Sequence, residues 1–274
     1  MRRAAEKFEV VFTPEDPLLE SLVQESRGLL LDRALDDFVS DVIALDQSVG
    51  NGSDRPPIAE SIDGAEPIRT DDSLIVSGQQ VMQEWESPLM RTLADLVTRP
   101  GGSVLEIGFG LGISAGFVQE IGPRRHTIVE ANPQIFEMAV EWRRANGYDN
   151  VELVGGRWED ALTGLGQYDG ILFDTYPLTE AEIEANVRHA PVYAGQFFAA
   201  AARHLAAGGS FTYFTGEIDS LSRRHQRSLL DHFASFSVRV VDGLQPPADC
   251  SYWWAASMAV VVASNPRPSV DAPP

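Results

Sequence analysis

The sequence has little cysteine and no long apolar run. A single cysteine, Cys250, occurs among 274 residues, which excludes an intramolecular disulfide and a metal site built from several cysteines. No apolar stretch reaches the roughly 18 residues that a membrane-spanning helix requires. The first residues lack the apolar core of a signal peptide. We therefore expect a cytoplasmic protein with no membrane partner.

Basic residues are also scarce. The chain contains 21 lysines and arginines against 40 acidic residues, which gives a net charge of −19. Because a nucleic-acid-binding surface must neutralise phosphates, this balance argues against nucleic acid as a partner. The five histidines show no ligand spacing beside suitable partners, so no metal site is predicted. Each histidine is interpreted as a surface or capping residue.

The first 80 residues carry more than half of the net negative charge. Apolar residues recur at helical spacing between positions 30 and 43, which predicts an amphipathic helix. The composition of residues 50–57 is that of a flexible linker. We predict an acidic helical extension over residues 1–80, and its helix could cover the remaining chain or form a homodimer. The proline-rich tail at 265–274 is predicted to be disordered.

From residue 81 onward, apolar runs alternate with helical stretches, including a long one over 180–205. Strands joined by helical crossovers predict a doubly wound, mostly parallel sheet, and two final strands without a helix between them predict an antiparallel hairpin. We therefore predict a Rossmann-like α/β domain over residues 81–264, with a seven-stranded sheet. Its expected strands lie at 104–107, 127–129, 151–154, 170–173, 210–214, 238–241 and 258–263.

One apolar run ends abruptly on Asp174. In an open α/β sheet, ligands bind beyond the carboxyl ends of the strands, so this carboxylate lies where chemistry takes place. An aspartate that simply caps a helix is about as common at such a position. Asp174 is therefore a candidate whose role depends on its neighbours.

The turn after the first of these strands contains Gly108, Gly110 and Gly112. Their spacing differs from the Gly-x-Gly-x-x-Gly of nicotinamide-binding proteins, and it favours an adenosyl group attached to a small zwitterion. The next strand ends at Glu130, which suits a pair of hydrogen bonds to ribose hydroxyls. Trp158 follows the third strand, where it could contact an adenine ring. Taken singly, such residues are more often surface or capping residues.

Five ordered blocks of sequence resemble guanidinoacetate N-methyltransferase and, more loosely, the fungal methyltransferases that modify arginine on an internal guanidino nitrogen. The resemblance runs from about residue 71 to 263. It implies a class I methyltransferase that uses S-adenosylmethionine as its cofactor. The blocks lie at 81–88, 106–113, 156–160, 173–177 and 246–250.

The resemblance also implies roles for particular residues. It places Met82 and Met90 beside the cofactor's sulfonium, although ordinary helix packing would explain both methionines. The implied substrate contacts are Glu86, Asp174 and Tyr176, and the charge of Glu217 makes it a fourth predicted contact where the sequence departs from the family. The implied cofactor contacts are Met82, Met90, Gly108, Phe109, Gly110, Leu111, Gly112, Ile113, Ser114, Glu130, Asn132, Trp158 and Glu159.

The chemistry of a guanidinium explains why two carboxylates are needed. The group stays charged at pH 7, and its delocalised nitrogens offer no free lone pair for attack on a methyl group. Two carboxylates can orient the planar group, polarise it and accept the proton that leaves. Glu86 and Asp174 are therefore the predicted catalytic pair.

The sequence departs from the resemblance at Glu217 and Asp219. The family has a neutral stretch here that helps to bind the substrate's carboxylate. Acidic residues would repel a carboxylate and attract an α-ammonium group, so free L-arginine is the predicted substrate and N-methyl-L-arginine the product. If these residues instead cap the next helix and point outward, guanidinoacetate remains an alternative, with creatine as product.

Two further hypotheses concern the substrate and the function. A protein arginine is possible, although no sequence motif suggests a peptide-binding groove. The chain could also be a non-catalytic scaffold subunit that binds S-adenosylmethionine and uses its acidic helix to hold a partner. The presence of both Glu86 and Asp174 argues against the scaffold, because a silent subunit has no chemical need for either carboxylate.

Overall fold

The structure, a computed structural model, describes residues 55–267. The predicted helix at 30–43, most of the linker and the tail beyond 267 lie outside the described residues. A small antiparallel sheet comes first, with strands β1 (Pro67–Arg69), β2 (Ser73–Val76) and β3 (Gln79–Gln83). The extension predicted as helical thus contains strands in its described part.

The domain boundary predicted at residue 80 needs correction. Residue 80 lies inside β3, and Leu74 and Val76 of β2 are buried in the same apolar cluster as the helices that follow. Because burial of these side chains couples the small sheet to the helices, the folded domain begins upstream of residue 80.

A seven-stranded sheet forms the centre of the domain. Its spatial order is β6-β5-β4-β7-β8-β10-β9, in which β4 to β8 run parallel and β10 is antiparallel to both of its neighbours. The predicted Rossmann-like fold and its C-terminal hairpin are confirmed. The strands are β4 (Ser103–Ile107), β5 (Arg125–Glu130), β6 (Val151–Gly155), β7 (Tyr168–Phe173), β8 (Leu205–Tyr213), β9 (Phe233–Asp242) and β10 (Ser257–Pro266). The prediction of a disordered tail from residue 265 is wrong for Asn265 and Pro266, which belong to β10.

Helices cover both faces of this sheet. The long helix predicted over 180–205 is broken into α5 (Glu180–Glu182), a π-helical turn (Ile183–Arg188), a 3-10 turn (Tyr193–Phe197) and α6 (Phe198–His204). Pro191 lies in this interval and cannot donate a helical hydrogen bond, which accounts for the interruption. The helices are α1 (Ser87–Val97), α2 (Ile113–Ile121), α3 (Pro133–Asn146), α4 (Trp158–Ala161), α5 (Glu180–Glu182), α6 (Phe198–His204) and α7 (Arg223–His232).

Two apolar layers hold the helices to the sheet. Leu172 of β7 belongs to the layer under α1, α2 and α3, whereas Ile171 and Phe173 belong to the layer under α6 and α7. Successive side chains of a strand point to opposite faces, so each central strand supports both layers. Within residues 55–267, no helix is both long and apolar enough to cross a membrane.

A buried hydrogen bond between Glu106 and His126 lies directly behind the turn between β4 and α2. Glu106 of β4 and His126 of β5 are both fully buried, and Nε2 of His126 lies 2.7 Å from Oε2 of Glu106. Ser114 donates to the other oxygen of Glu106, and Gln119 contacts His126 Nδ1 at 3.1 Å. The interpretation of every histidine as a surface or capping residue is therefore wrong for His126, as it is for the fully buried His225.

The close packing of β7 against α1 gives a test of the fold. A Cβ added at Gly170 would lie 1.8 Å from the carbonyl oxygen of Val97, so backbone must move. We predict that Gly170→Ala lowers the free energy of unfolding by about 2 kcal/mol or more, as measured by urea denaturation.

The matched control is Gly116→Ala in α2, where an added Cβ meets nothing within 4 Å. Because alanine favours a helix over glycine, this variant should keep the wild-type stability or gain up to about 1 kcal/mol. Equal stabilities for the two variants would contradict the packing described for Gly170.

Candidate active site

The turn between β4 and α2 exposes backbone at the carboxyl edge of the sheet. Gly108, Gly110 and Gly112 have φ angles of +93°, +55° and +77°, a region that glycine adopts without strain. A Cβ on Gly110 would lie 2.7 Å from Sδ of Met82, and the backbone N–H of Leu111 donates to the same sulfur at 3.2 Å. Met82 of β3 therefore packs on the turn, close to the atoms that a cofactor would contact.

The residues of this turn divide into an accessible and a supporting group. The half-buried members, which a ligand can reach, are Gly108, Gly110, Leu111 and Ile113. The buried members are Phe109, Gly112 and Ser114. The Phe109 ring lies edge-on to Trp142, with centroids 5.4 Å apart, so the buried members support the turn from behind.

Glu130 lies at the end of β5, beside the turn. Its Oε2 accepts a hydrogen bond from the Phe109 N–H and its Oε1 from the Asn132 N–H, both at 2.8 Å. Burial raises the pKa of Glu130, and these backbone hydrogen bonds act in the opposite direction. Each oxygen keeps a further lone pair, so the carboxylate is held in place and can still accept from two ribose hydroxyls.

The side chain of Asn132 is used by the fold. Its Oδ1 caps α3 by accepting from the N–H groups of Gln134 and Ile135, and its Nδ2 donates to the carbonyls of Ile62 and Ala65 at 2.7 and 2.8 Å. These four hydrogen bonds occupy both lone pairs of the amide oxygen and both N–H donors of the amide nitrogen. The ribose contact expected of Asn132 stays a prediction that this geometry does not support.

The remaining three predicted cofactor residues differ in how far their side chains are buried. Met90 of α1 has no exposed surface and packs in the core, which agrees with the helix-packing alternative. Trp158 begins α4, is half-buried, and stands edge-on to Phe197 with centroids 5.1 Å apart. Glu159 is exposed. Of these three residues, Trp158 is best placed to contact a flat ring.

The structure places Glu86 and Asp174 at the same edge of the sheet. Glu86 lies just before α1 with 3% of its surface exposed, and its Oε1 accepts from the Gln83 N–H at 2.7 Å and the Tyr252 hydroxyl at 2.5 Å. Asp174 follows β7, and its N–H donates to the Ile107 carbonyl of β4 at 3.0 Å. Its Oδ2 is buried without a hydrogen-bond partner among the described residues.

The two carboxyl groups have raised pKa values. Burial raises the pKa of Glu86 to about 8, and the negative charge of Asp174 contributes, while the hydrogen bonds from Tyr252 and Gln83 act in the opposite direction. Burial likewise raises the pKa of Asp174 to about 7, with a contribution from the charge of Glu106. A cation bound between Glu86 and Asp174 would favour the ionised form of both.

Tyr176 lies on the loop after β7 and reaches the small sheet. Its hydroxyl donates to Oε1 of Gln79 at 3.2 Å, and burial raises its pKa to about 12. Gln79 also contacts the guanidinium of Arg55, which pairs with Glu180 at 2.7 Å. The segment before β1 is thus joined to the loop that carries Asp174.

Glu217 contacts the fold rather than an open cleft. Its carboxylate is buried, with Oε1 3.0 Å from His225 Nδ1 and Oε2 accepting from the Ser222 N–H at 2.7 Å. Nε2 of His225 lies 2.6 Å from the Tyr213 hydroxyl. The outward-pointing cap that we considered is wrong for Glu217, because the side chain is buried. Its role as a substrate contact stays a prediction that these contacts do not support.

The connection between β9 and β10 contributes two residues to the site, Ser251 and Tyr252, that the sequence did not predict there. Tyr252 contacts Glu86 directly, and the Ser251 N–H donates to Oε1 of Gln80 at 2.8 Å. The recognised block at 246–250 ends two positions before Tyr252, so it marked the correct loop. Within residues 55–267, no group of three or more His, Cys, Asp or Glu side chains is placed to hold a metal ion.

The residues present fit S-adenosylmethionine. The glycine turn provides accessible backbone next to Met82, Glu130 offers a fixed acceptor for a ribose diol, and the carboxyl groups of Glu86 and Asp174 lie at the same edge of the sheet. A half-buried aromatic ring, Trp158, follows the next strand. This donor set suits a nucleoside attached to a cationic group.

Comparison with known proteins agrees with this arrangement. The family model described as guanidinoacetate N-methyltransferase matches residues 59–225, and S-adenosylmethionine, the predicted cofactor, is confirmed at the level of this family. Protein arginine N-methyltransferase 2 of Candida glabrata is 38% identical over 120 residues, which are 39% of this chain and 28% of that protein. The Yarrowia lipolytica protein of the same name is 32% identical over 162 residues, or 54% and 31% of the two chains.

The stretch that matches this chain spans about three tenths of the length of each of these relatives. Among solved structures, spermidine synthase from Thermotoga maritima superposes with a TM-score of 0.51 at 16% identity and covers 73% of this chain and 72% of its own. At this identity the likeness concerns the fold alone.

The glycine turn allows a test of cofactor binding. An added methyl group at Gly110 would press on the Met82 sulfur, and Gly110 has a positive φ that alanine rarely adopts, so the turn would have to change shape. We predict that Gly110→Ala raises the Kd for S-adenosylmethionine about 10-fold or more, as measured by calorimetry. The Gly116→Ala variant is the control and should bind as the wild type does. An unchanged Kd for Gly110→Ala, with the fold intact, would place the cofactor elsewhere.

Proposed function

The chain belongs to the guanidinoacetate N-methyltransferase family, and from this premise and its site we propose that it methylates a guanidino nitrogen of arginine with S-adenosylmethionine. One observation carries the proposal. The buried Oδ2 of Asp174 has no partner among the described residues, and it lies at the edge where Glu86 and the glycine turn meet. A buried carboxylate oxygen without a partner is costly, and a cationic N–H donor would remove that cost.

The proposed chemistry assigns separate tasks to the two carboxylates. S-adenosylmethionine supplies a methyl group bound to a cationic sulfur. Glu86 and Asp174 accept hydrogen bonds from the guanidinium, orient its plane and increase electron density on the reacting nitrogen. On methylation of the nitrogen, the carbon–sulfur electron pair would leave with the cofactor's sulfur, and Asp174 would take the proton that the nitrogen loses. Glu86 and Asp174 would also contribute by holding the nitrogen in position for attack.

The form of the arginine follows from two opposing considerations. Free L-arginine, giving N-methyl-L-arginine, is the substrate that the sequence favours. That argument relied on Glu217, whose carboxylate contacts His225 and Ser222, so its support has weakened. The relatives are named protein arginine N-methyltransferases, and a net charge of −19 would attract a basic protein. We propose that the guanidino group belongs to an arginine, and a comparison of free L-arginine with an arginine-rich protein decides which form is the substrate.

A substrate panel tests the proposal. The protein should be incubated with labelled S-adenosylmethionine and, separately, L-arginine, guanidinoacetate, agmatine and an arginine-rich protein. Transfer to L-arginine or to a protein arginine supports the proposal, and mass spectrometry of the product identifies the nitrogen. A higher kcat/KM with guanidinoacetate would overturn arginine as the substrate. Cofactor binding without transfer to any member would favour the scaffold alternative.

A substitution tests the proton acceptor. Asp174→Asn keeps the size of the side chain but removes its charge, so we predict that kcat/KM falls about 100-fold or more while the Kd for S-adenosylmethionine stays near the wild-type value. The exposed Asp149→Asn serves as the control for a general effect of charge. Full turnover by Asp174→Asn would contradict the proposed role.

The pH dependence of the reaction provides a further test. Carboxyl groups with raised pKa values are ionised only above those values, so the ability to bind a guanidinium is lost as pH falls. We predict that kcat/KM at saturating cofactor has an acid limb with its midpoint no higher than about pH 8, because a bound sulfonium lowers the pKa values of Glu86 and Asp174. A flat profile down to about pH 5 would show that neither raised carboxyl group participates.

Two predictions concern the whole protein. Its cytoplasmic location and its homodimerisation through the N-terminal helix remain proposals from the sequence, and the helix lies outside the described residues.

A further inference from the structure

The connection between β9 and β10 passes beside Glu86, which it contacts through Tyr252. It begins and ends with a hydrogen bond from the Leu244 N–H to the Ala256 carbonyl at 2.9 Å, and Trp253 within it is 1% exposed. The Ser251 N–H donates to the Gln80 side chain of β3 at 2.8 Å. These contacts hold the connection in place at the point where it passes Glu86.

Tyr252 extends from this connection to Glu86. Its hydroxyl donates to Oε1 of Glu86 at 2.5 Å, and its ring lies 5.9 Å from the ring of Trp85. Burial and the neighbouring charge of Glu86 raise the pKa of Tyr252 far above its usual range. The phenol therefore stays protonated and can act as a donor at any pH at which the protein works.

Both hydrogen bonds to Glu86 fall on one oxygen. The Gln83 N–H and the Tyr252 hydroxyl donate to Oε1, which leaves the other oxygen, Oε2, available to accept from a ligand. A carboxylate held by two donors from different elements has one orientation available, so the fork of a guanidinium meets a prearranged acceptor. The Trp85 indole supports the same strand end by donating to Oε1 of Gln83 at 2.9 Å.

We propose that Tyr252 is a positioning residue for Glu86, and that its hydroxyl keeps this carboxylate oriented and ionised for binding a guanidinium. The inference rests on the proposed function, because it assigns Tyr252 a part in the same site.

The groups around Glu86 explain why such a donor is needed. Asp174 approaches from the end of β7, and its negative charge favours the protonated form of Glu86. Cys250, on the same connection as Tyr252, is a thiol whose pKa is raised by burial and by the charge of Glu86. The described residues bring no cationic side chain into the contacts of Glu86, so neutral donors stabilise its charge.

The test is Tyr252→Phe, which removes one oxygen and keeps the ring. Loss of a hydrogen bond to a charged group should raise KM for the guanidino substrate about tenfold and move the acid limb of kcat/KM about one unit toward higher pH. At pH values where Glu86 is ionised in both proteins, kcat should change little. The Kd for S-adenosylmethionine and the midpoint of thermal unfolding should stay near the wild-type values.

Tyr168→Phe is the matched control. Tyr168 is also buried, and its hydroxyl donates to Thr127 Oγ1 at 3.1 Å near the opposite end of β7. It should lose a phenol hydrogen bond without any change in the pH profile. A shift of equal size in this variant would mean that the effect of Tyr252→Phe is structural, and would overturn the proposal.

A binding measurement separates this inference from the proposed function. Calorimetric titration with L-arginine, in the presence of S-adenosylhomocysteine, should show affinity that decreases with falling pH, and this decrease should begin at a higher pH in Tyr252→Phe. If the wild type binds or methylates arginine and the variant behaves identically, the positioning role is wrong and the proposed function stands. If the wild type neither binds nor methylates any guanidino compound, the proposed function fails first.

A double-mutant cycle completes the test. In a Glu86→Gln background, Tyr252→Phe should have little further effect, because the residue that Tyr252 positions is no longer a carboxylate. An unreduced effect in that background would show that Tyr252 acts through another group, and this result would overturn the inference.

Discussion

The central constraint on this protein is the burial of negative charge without a counterion. Glu86 and Asp174 are brought together where β7 ends beside β4, and the buried Oδ2 of Asp174 has no partner among the described residues. Such a pair is unfavourable in the isolated protein, because burial and mutual repulsion both oppose ionisation. Its presence at the edge of the sheet, rather than in the core, is the reason for proposing that a cation binds there.

Hydrogen bonds hold the other polar groups at this edge of the sheet in fixed positions. Backbone N–H groups hold Glu130, a backbone N–H and a phenol hold Glu86, and Asn132 joins the segment before β1 to the start of α3. Behind the glycine turn, Glu106 bonds to His126 and to Ser114 of α2, which supports this helix. These hydrogen bonds connect separate elements of the chain and thereby restrict their positions relative to one another.

The sequence predicted the sheet well because buried parallel strands appear as short apolar runs, and each predicted run lies within or overlaps an observed strand. It predicted Asp174 and Glu130 because strand ends meet at one edge. It failed over 180–205, where helical periodicity continues past Pro191 although the hydrogen bonds cannot. It also failed for residues 67–83, whose short strands acquire a partner surface only through burial against the helices.

The sequence by itself determined the order of strands and helices, the glycine turn and the position of Asp174 at a strand end, because periodicity, glycine spacing and strand ends are local properties, whereas Glu86 was predicted from the family resemblance. Only the tertiary structure decided which polar atoms were already in use. It joined Glu217 to His225, used the amide of Asn132 within the fold, and brought Tyr252 to Glu86 from 166 positions away. Hydrogen-bond partners distant in the chain leave no periodic pattern, so no reading of neighbouring residues could have assigned them.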